Sequence, residues 1–258
     1  MSETYLHPAL PPLPAPAPTA PAALRALSEG ATGLRALPSA GRFAAGARGL
    51  DRPLGARFYR RFGKRALDIA LVVAFAPLYL PLIAIAALLL LIEGGNPFYR
   101  QDRLGRGGAR FSILKLRTMV RDADAQLARL LAEDPQLRRE WHTTQKLRND
   151  PRVTRVGAFL RRTSLDELPQ LWNVLKGEMS LVGPRPMLPE QLPLYGDGTR
   201  YFATRPGLTG LWQVGRRNDS SFAERARYDG AYDAAMSLGT DLGILFRTIG
   251  VVLRRTGC

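Results

Sequence analysis

Ile69 to Ile92 reads IALVVAFAPLYLPLIAIAALLLLI, 24 consecutive residues without a charged side chain. As one straight helix the run would measure about 36 Å, enough for a hydrocarbon core of about 30 Å. Two features favour a hairpin instead. Pro77 and Pro81 fall inside the run and interrupt a helix there, leaving arms of eight residues before Pro77 and fifteen after it, neither of which spans alone. Basic residues also flank both ends: Arg57, Arg60, Arg61, Lys64 and Arg65 before the run, then Arg100, Arg103, Arg106, Arg110, Lys115 and Arg117 after it. Positive charge retains both flanks on the cytoplasmic side, so a segment that enters and leaves by one face fits better than a crossing, with a kinked span as the alternative.

Upstream, seven of the fourteen residues from Pro8 to Pro21 are proline, and Ala, Gly and Arg dominate as far as Gly55. Such a composition buries too little apolar surface to offset chain entropy. Residues 1–55 are therefore read as a tail without secondary structure, 56–95 as a basic flank and membrane helix, and 96–258 as a cytoplasmic domain with amphipathic helices at the interface. The first thirty residues lack a basic start followed by a continuous apolar stretch, so no signal peptide is expected. Over the whole chain 37 Lys and Arg stand against 22 Asp and Glu, a net charge of +15 that favours an anionic partner. Cys258 is the single cysteine, which excludes an internal disulfide and a cysteine-ligated metal. His7 and His142 are the two histidines, so acid, base or nucleophilic chemistry falls to carboxylates or Lys.

Downstream, Phe98–Arg103 and Phe111–Arg117 flank the turn formers Gly105, Gly107 and Gly108 and predict a hairpin. Leu127, Leu130, Leu131 and Leu137 predict an amphipathic helix over Arg121–Trp141, interrupted near Pro135. A further helix is expected over Val156–Arg162. Ser164 then has the form of an N-cap, with Glu167 completing a capping box and Pro169 in the first turn of a helix reaching about Lys176. Met179–Val182 reads as a strand and Pro184–Pro193 as loop. Leu238, Leu242, Leu245, Phe246, Ile249 and Leu253 share a helix face that carries Arg247, Arg254 and Arg255 nearby; it lies on a membrane or packs on its own domain.

Asp166-Glu167 is the acidic pair of greatest chemical interest. Acidic residues in a first turn ordinarily complement the helix dipole and do no more. With Arg161 and Arg162 beside them, however, helix N–H groups and guanidinium groups would draw an anionic substrate to carboxylates able to act as nucleophile or metal ligand. Lys115-Leu-Arg117, Gly183-Pro-Arg185-Pro and Arg205-Pro-Gly207 each hold a cation on rigid backbone, which suits oxyanion recognition, although any one alone reads as a solvated charge. Lys64 and Arg65 with Asp68 place pairs at i, i+4 and i, i+3 that would staple the helix at the membrane surface. Trp172, Trp212 and Tyr201 read as core or interface residues.

At these residues the chain resembles the monotopic phosphoglycosyl transferases, bacterial enzymes that initiate glycan assembly on undecaprenyl phosphate. The resemblance runs from about Gly63 to Arg254 in motifs of matching order: Lys64-Arg65-Ala-Leu-Asp68; Asn96-Pro97; Phe111-Ser-Ile-Leu-Lys-Leu-Arg-Thr-Met119; Arg161-Arg-Thr-Ser-Leu-Asp-Glu-Leu-Pro-Gln-Leu-Trp-Asn173; Met179-Ser-Leu-Val-Gly-Pro-Arg-Pro186; and Arg205-Pro-Gly-Leu-Thr-Gly-Leu-Trp-Gln213. It implies an α+β monotopic protein of the bacterial inner membrane, cytoplasmic face, with a re-entrant helix broken at Pro77 and Pro81. It implies transfer of sugar 1-phosphate, with galactose or glucose the leading donors, from a UDP-sugar to undecaprenyl phosphate, releasing UMP and initiating exopolysaccharide synthesis. Asp166 matches the nucleophile that forms a phosphosugar-aspartate. Glu167 matches a residue that helps hold Mg²⁺ or assists protonation, so both carboxylates are metal candidates. Lys115, Arg117, Arg185, Arg205 and Gln213 are candidates for substrate or phosphate contact. A homo-oligomer, or contact with polysaccharide assembly proteins through the tail, is compatible with the resemblance; nucleic acid is not an expected partner.

The chain departs from the family pattern in two places. Ala76 stands before the breaking proline where Ser is common, and Ala235-Met236-Ser237 replaces a frequent Asn-Trp-Ser. A basic membrane-tethered binding protein, or a catalytically inactive relative, is the competing reading. The binding protein gives no reason for the Asp166-Glu167 pair, and no nucleic-acid motif is visible; Mg²⁺-dependent UMP release separates the enzyme from both.

Overall fold

The computed structural model describes residues 54–144, 147–215 and 224–253. The expected tail lies outside them except for Leu54 and Gly55, and so do Arg254, Arg255 and Cys258. The described chain opens with α1 (Leu54–Phe58), a π-helical segment (Tyr59–Gly63) and α2 (Lys64–Ala74), which run into one another with helical backbone at the joins. After Phe75 (φ −92°, ψ 2°) comes α3 (Ala76–Glu93). The break therefore precedes both prolines. Pro77 sits in the first turn of α3, where a missing N–H costs nothing, whereas Pro81 lies inside the helix and does not break it. Instead of a fifteen-residue arm there is an 18-residue helix of about 27 Å, long and apolar enough to cross a membrane by length and composition.

β1 (Phe98–Leu104) and β2 (Arg110–Leu116) form the expected antiparallel hairpin, pairing Phe98 with Leu116 and Leu104 with Arg110 around a 3₁₀ turn at Arg106–Gly108. The predicted helix that follows divides where Pro135 requires it, into α4 (Ala123–Glu133) and α5 (Pro135–Thr144), with Asp134 Oδ1 accepting from Gln136 N at 2.7 Å. Then come α6 (Arg155–Thr163), a 3₁₀ turn (Leu165–Glu167), α7 (Gln170–Lys176) and β3 (Ser180–Val182). A 3₁₀ turn at Pro189–Gln191, α8 (Leu192–Tyr195), α9 (Thr199–Phe202), β4 (Gly207–Thr209), α10 (Glu224–Ala235) and α11 (Leu238–Leu253) complete the order.

β3 and β4 are parallel, with Ser180 opposite Gly207 and Val182 opposite Thr209. Gly183 and Gly207 allow this because a Cβ on Gly207 would lie 2.0 Å from Gly183 N. The two Gly-Pro-Arg and Arg-Pro-Gly loops are thus laced together, through Gly183 N to Thr209 O (2.8 Å) and Gly207 N to Pro184 O (2.7 Å). Around them the main core gathers Val72, Ile113, Val174, Met179, Val182, Tyr232 and Ile244 from six elements. A smaller cluster of Ala86, Leu90, Leu116 and Leu160 seats the end of α3 on β2 and α6. The rest of α3 turns Leu78, Ile85, Leu88 and Leu91 outward, a surface whose exposure is costly in water and costless in lipid. On α11 the predicted apolar face splits: Leu245 packs on the core, while Phe246 and Ile249 are exposed.

Lys64, Arg65 and Asp68 do not staple α2 to a membrane surface. Lys64 and Asp68 are buried in the domain, Lys64 Nζ donating to Asp241 Oδ2 (2.7 Å) and Asp68 Oδ1 accepting from Ser180 Oγ and Leu181 N (both 3.0 Å). Arg65 donates to the carbonyls of Val174 (2.5 Å) and Leu175 (2.7 Å) at the C-terminal end of α7. Tyr59 and Tyr232 hydroxyls complete the shell of Asp241 at 2.6 and 2.8 Å. A buried charge persists only with such partners, which explains why the local i, i+4 pairing loses to contacts far away in the chain.

Candidate active site

α6 is capped by Thr154, whose Oγ1 accepts from Gly157 N at 2.9 Å, and ends at Thr163. Ser164 then adopts φ 55°, ψ 18°, the one positive φ outside glycine among the described residues. The expected capping box is not formed. Ser164 makes no side-chain cap; its left-handed backbone ends α6 and turns the chain directly into Leu165–Glu167. A non-glycine residue in that region stores about 1–2 kcal/mol, placed here two residues before Asp166.

Glu167, released from capping, points to cations. Its Oε1 lies 2.8 Å from Lys115 Nζ and 3.5 Å from Arg185 Nη2. Lys115 is brought there by β2, and β2 is registered against α7 by Asn173: its Oδ1 accepts from Leu114 N (3.0 Å) and its Nδ2 donates to Ser112 O (2.8 Å). Arg185 is fixed by its own carbonyl, which accepts from Arg225 Nη2 at 2.9 Å, while the Arg225 guanidinium lies over Trp212, 4.9 Å from the ring centroid.

Asp166 differs from its neighbour. It is half-buried and, among the described residues, accepts no hydrogen bond. Burial pushes its carboxyl up to about 6, with Glu167 pushing the same way and Lys115, Arg161 and Arg185 opposing. Arg161 is positioned by Nε donating to Thr118 Oγ1 at 2.9 Å; its own pKa is lowered by burial and supported by Asp166. Leu165 packs on the cluster of Ala86, Leu90, Leu116 and Leu160, and its turn contacts α3, so the pair stands where the apolar helix meets the domain.

Of the residues singled out in the sequence, Asp166, Glu167, Lys115 and Arg185 come together. Arg117 does not join them; its Nη2 donates to the Leu90 (3.2 Å) and Gly94 (2.5 Å) carbonyls at the end of α3, and it lines a cavity of about 440 Å³ with Asn96 and Arg121. Arg205 lies at the far end of α7, donating through Nε to Gly177 O at 2.8 Å. Gln213 is buried, and among the described residues neither amide atom has a partner. Sequence reading passed over Asn173 and Arg225, which position the site, and gave Arg161 no role of its own. Asn173 carried a signal nonetheless, as an amide between the apolar pairs Leu171-Trp172 and Val174-Leu175.

Two adjacent carboxylates make a partial shell for a divalent ion, and no group of three acidic, His or Cys side chains suited to a metal occurs among the described residues. A Mg²⁺ ion there would take these two carboxylates at most and complete its shell with water and substrate phosphate.

A family model described as "Bacterial sugar transferase" matches residues 59–255. A UDP-galactose-lipid carrier transferase of Erwinia amylovora is 49% identical over 203 residues, covering 78% of this chain and 43% of that protein. The exopolysaccharide production protein ExoY of Rhizobium meliloti is 46% identical over 210 residues, covering 81% and 91%. A UDP-glucose:undecaprenyl-phosphate glucose-1-phosphate transferase of Caulobacter vibrioides is 42% identical over 200 residues, covering 74% and 69%. The chain thus spans less than half of the Erwinia protein and nearly all of the Rhizobium one. With most of its described residues inside the matched region, this chain belongs to the bacterial sugar transferase family.

Proposed function

We propose that the protein transfers sugar 1-phosphate, from UDP-galactose or UDP-glucose, to undecaprenyl phosphate at the cytoplasmic face of the bacterial inner membrane, as the initiating step of exopolysaccharide synthesis. The observation that carries this is the division of labour in the acidic pair: Glu167 is held by Lys115 and Arg185, while Asp166 has no hydrogen bond among the described residues and three cations around it. A carboxylate so placed is an available nucleophile in a field that offsets repulsion from a diphosphate. The names of the Erwinia and Caulobacter relatives supply the donor and acceptor classes.

In this reading an Asp166 oxygen bonds to the sugar-bearing phosphorus and the bond to the UMP oxygen breaks, leaving a phosphosugar-aspartate. An oxygen of undecaprenyl phosphate then attacks that phosphorus, and the carboxylate departs. Lys115 and Arg185 orient the non-bridging oxygens, with Arg161 adding positive charge near Asp166. Asp166 and Glu167 would hold Mg²⁺ together with the diphosphate, and the ion would supply neutralisation of the leaving UMP.

The re-entrant topology is supported by the anchoring of both ends of the apolar run on one domain. Lys64 and Asp68 tie its start to Asp241 and Ser180, and Arg117 ties its end to the hairpin. Since the turn that holds Leu165 contacts α3, a lipid phosphate would reach Asp166 without leaving the membrane surface.

The test is UMP release by detergent-solubilised protein with Mg²⁺ and undecaprenyl phosphate across a panel of UDP-sugars, beside Asp166→Asn. Without acceptor, wild type should retain label from the sugar phosphate and Asp166→Asn should not. Label on the mutant would end the covalent reading.

A further inference from the structure

A second concentration of positive charge lies at the opposite end of α7 from Asp166. It surrounds a cavity of about 640 Å³ between the N-terminal arm, the β1–β2 turn and the segment before β4. Seven of its lining side chains are cations and none is a carboxylate. Arg60 and Lys64 are paired with Asp233 (2.6 Å) and Asp241 (2.7 Å), which are not among the lining residues. Arg65 and Arg205 donate to the carbonyls of Val174, Leu175 and Gly177 at the end of α7. Arg57, Arg61 and Arg106 stand exposed at the rim. Burial lowers the pKa of Arg205, Arg106 and Arg65 lower it further, and Asp68 opposes them. α7 has seven residues, so about 10 Å of helix separates this cavity from the acidic pair.

Guanidinium groups crowded on a concave wall are relieved by an oxyanion that accepts two N–H bonds from each, and phosphate has that geometry. The surroundings select its source. On the same arm Phe58 and Phe62 are 66% and 55% exposed, with ring centroids 5.7 Å apart, immediately before the apolar run. Aromatic rings beside a cluster of Arg are the composition of a segment lying at the membrane interface, where anionic headgroups are the abundant phosphates.

The geometry points to a binding site in this cavity for the phosphate headgroup of an anionic phospholipid, contacted by Arg57, Arg61, Arg106 and Arg205 and separate from the Asp166 centre. Such a lipid would fix the height of the arm against the bilayer. It does not depend on the transferase reading, because Asp166 takes no part in it.

The experiment is native mass spectrometry of the full chain released from mixed micelles of phosphatidylglycerol and phosphatidylcholine. Wild type and Asp166→Asn should retain phosphatidylglycerol in preference to phosphatidylcholine, and the triple variant Arg57→Gln/Arg61→Gln/Arg106→Gln should retain at least about tenfold less, since each such cation contributes on the order of 1 kcal/mol at an anionic surface. All three positions are exposed, so the thermal midpoint of the triple variant should stay near that of wild type. If it unfolds instead, single Arg106→Gln in the turn serves, with a smaller loss expected. Equal retention of both lipids, or unchanged retention in a folded variant, would overturn the proposal. Displacement of phosphatidylglycerol by millimolar inorganic phosphate or UMP would assign the cavity to a soluble anion and overturn it as well.

Discussion

Two lysine–carboxylate pairs of nearly equal length serve different ends in this molecule. Lys64–Asp241 is 2.7 Å long and Lys115–Glu167 is 2.8 Å. Around Asp241 both oxygens are occupied, by Lys64, Tyr59 and Tyr232, and its side chain is 1% exposed. Around the second pair each partner is 19% exposed, and the carboxylate next along the chain is left without a hydrogen bond among the described residues. Complete satisfaction makes a clasp that docks α2 on the domain. Incomplete satisfaction makes a group available for reaction. Distance alone does not distinguish them; burial and the number of occupied lone pairs do.

The sharpest way to break this comparison is Asp166→Asn. UMP release should fall by at least about 10³-fold, as for loss of a nucleophile. Stability should not fall with it. A folded carboxyl that holds its proton up to about 6 binds more protons than the unfolded chain, so its contribution to stability declines as pH rises through the window from the usual carboxylate range to about 6. Asn removes that liability, and thermal scans at pH 8 should show an unchanged or slightly higher midpoint.

The converse variant, Asp241→Leu, leaves Lys64 buried without its counter-charge and should cost about 3–5 kcal/mol in denaturant unfolding. Adding Lys64→Met should recover much of that loss. The corresponding change in the open pair, Glu167→Gln, should cost less than about 1 kcal/mol, because that pair is partly exposed. Should both lose the same stability, the distinction between clasp and site fails.

A subtler effect concerns pH. Wild-type turnover should fall as pH drops through about 6, where Asp166 takes up its proton. Lys115 is the strongest opposing influence on that carboxyl, so Lys115→Met should move the midpoint of the pH profile upward and lower turnover by about 10- to 100-fold. A lowered rate with an unshifted midpoint would mean that Lys115 acts on substrate alone. Smallest of all is Ser164→Gly, which relieves a left-handed backbone and should change unfolding free energy by no more than about 1 kcal/mol in either direction.

The acidic pair, the apolar run and the β-hairpin were legible because each is written locally. An uncharged stretch, glycines between two short strands and adjacent carboxylates need no knowledge of the rest of the chain. Ser164 shows the limit of local reading. Its spacing to Glu167 is that of a capping box, yet α6 ends there in a left-handed residue, and Glu167 turns to a lysine 52 positions earlier. Pro81 shows the same limit in the other direction, since a proline near the start of an apolar helix forfeits one hydrogen bond and the helix continues.

From its sequence alone this protein is a basic chain with a 24-residue uncharged run that holds two prolines, and with an acidic pair set among rigid, cationic loops. Those properties are sums and spacings, and they survive any arrangement of the elements. Tertiary structure decided which charges became buried partners and which stayed open. Lys64 found Asp241 at a separation of 177 residues, Asp68 found Ser180 at 112, and Asn173 joined β2 to the helix behind the acidic pair at 59. A buried charge must be paired wherever the fold supplies a partner, and nothing local encodes how far away that partner lies.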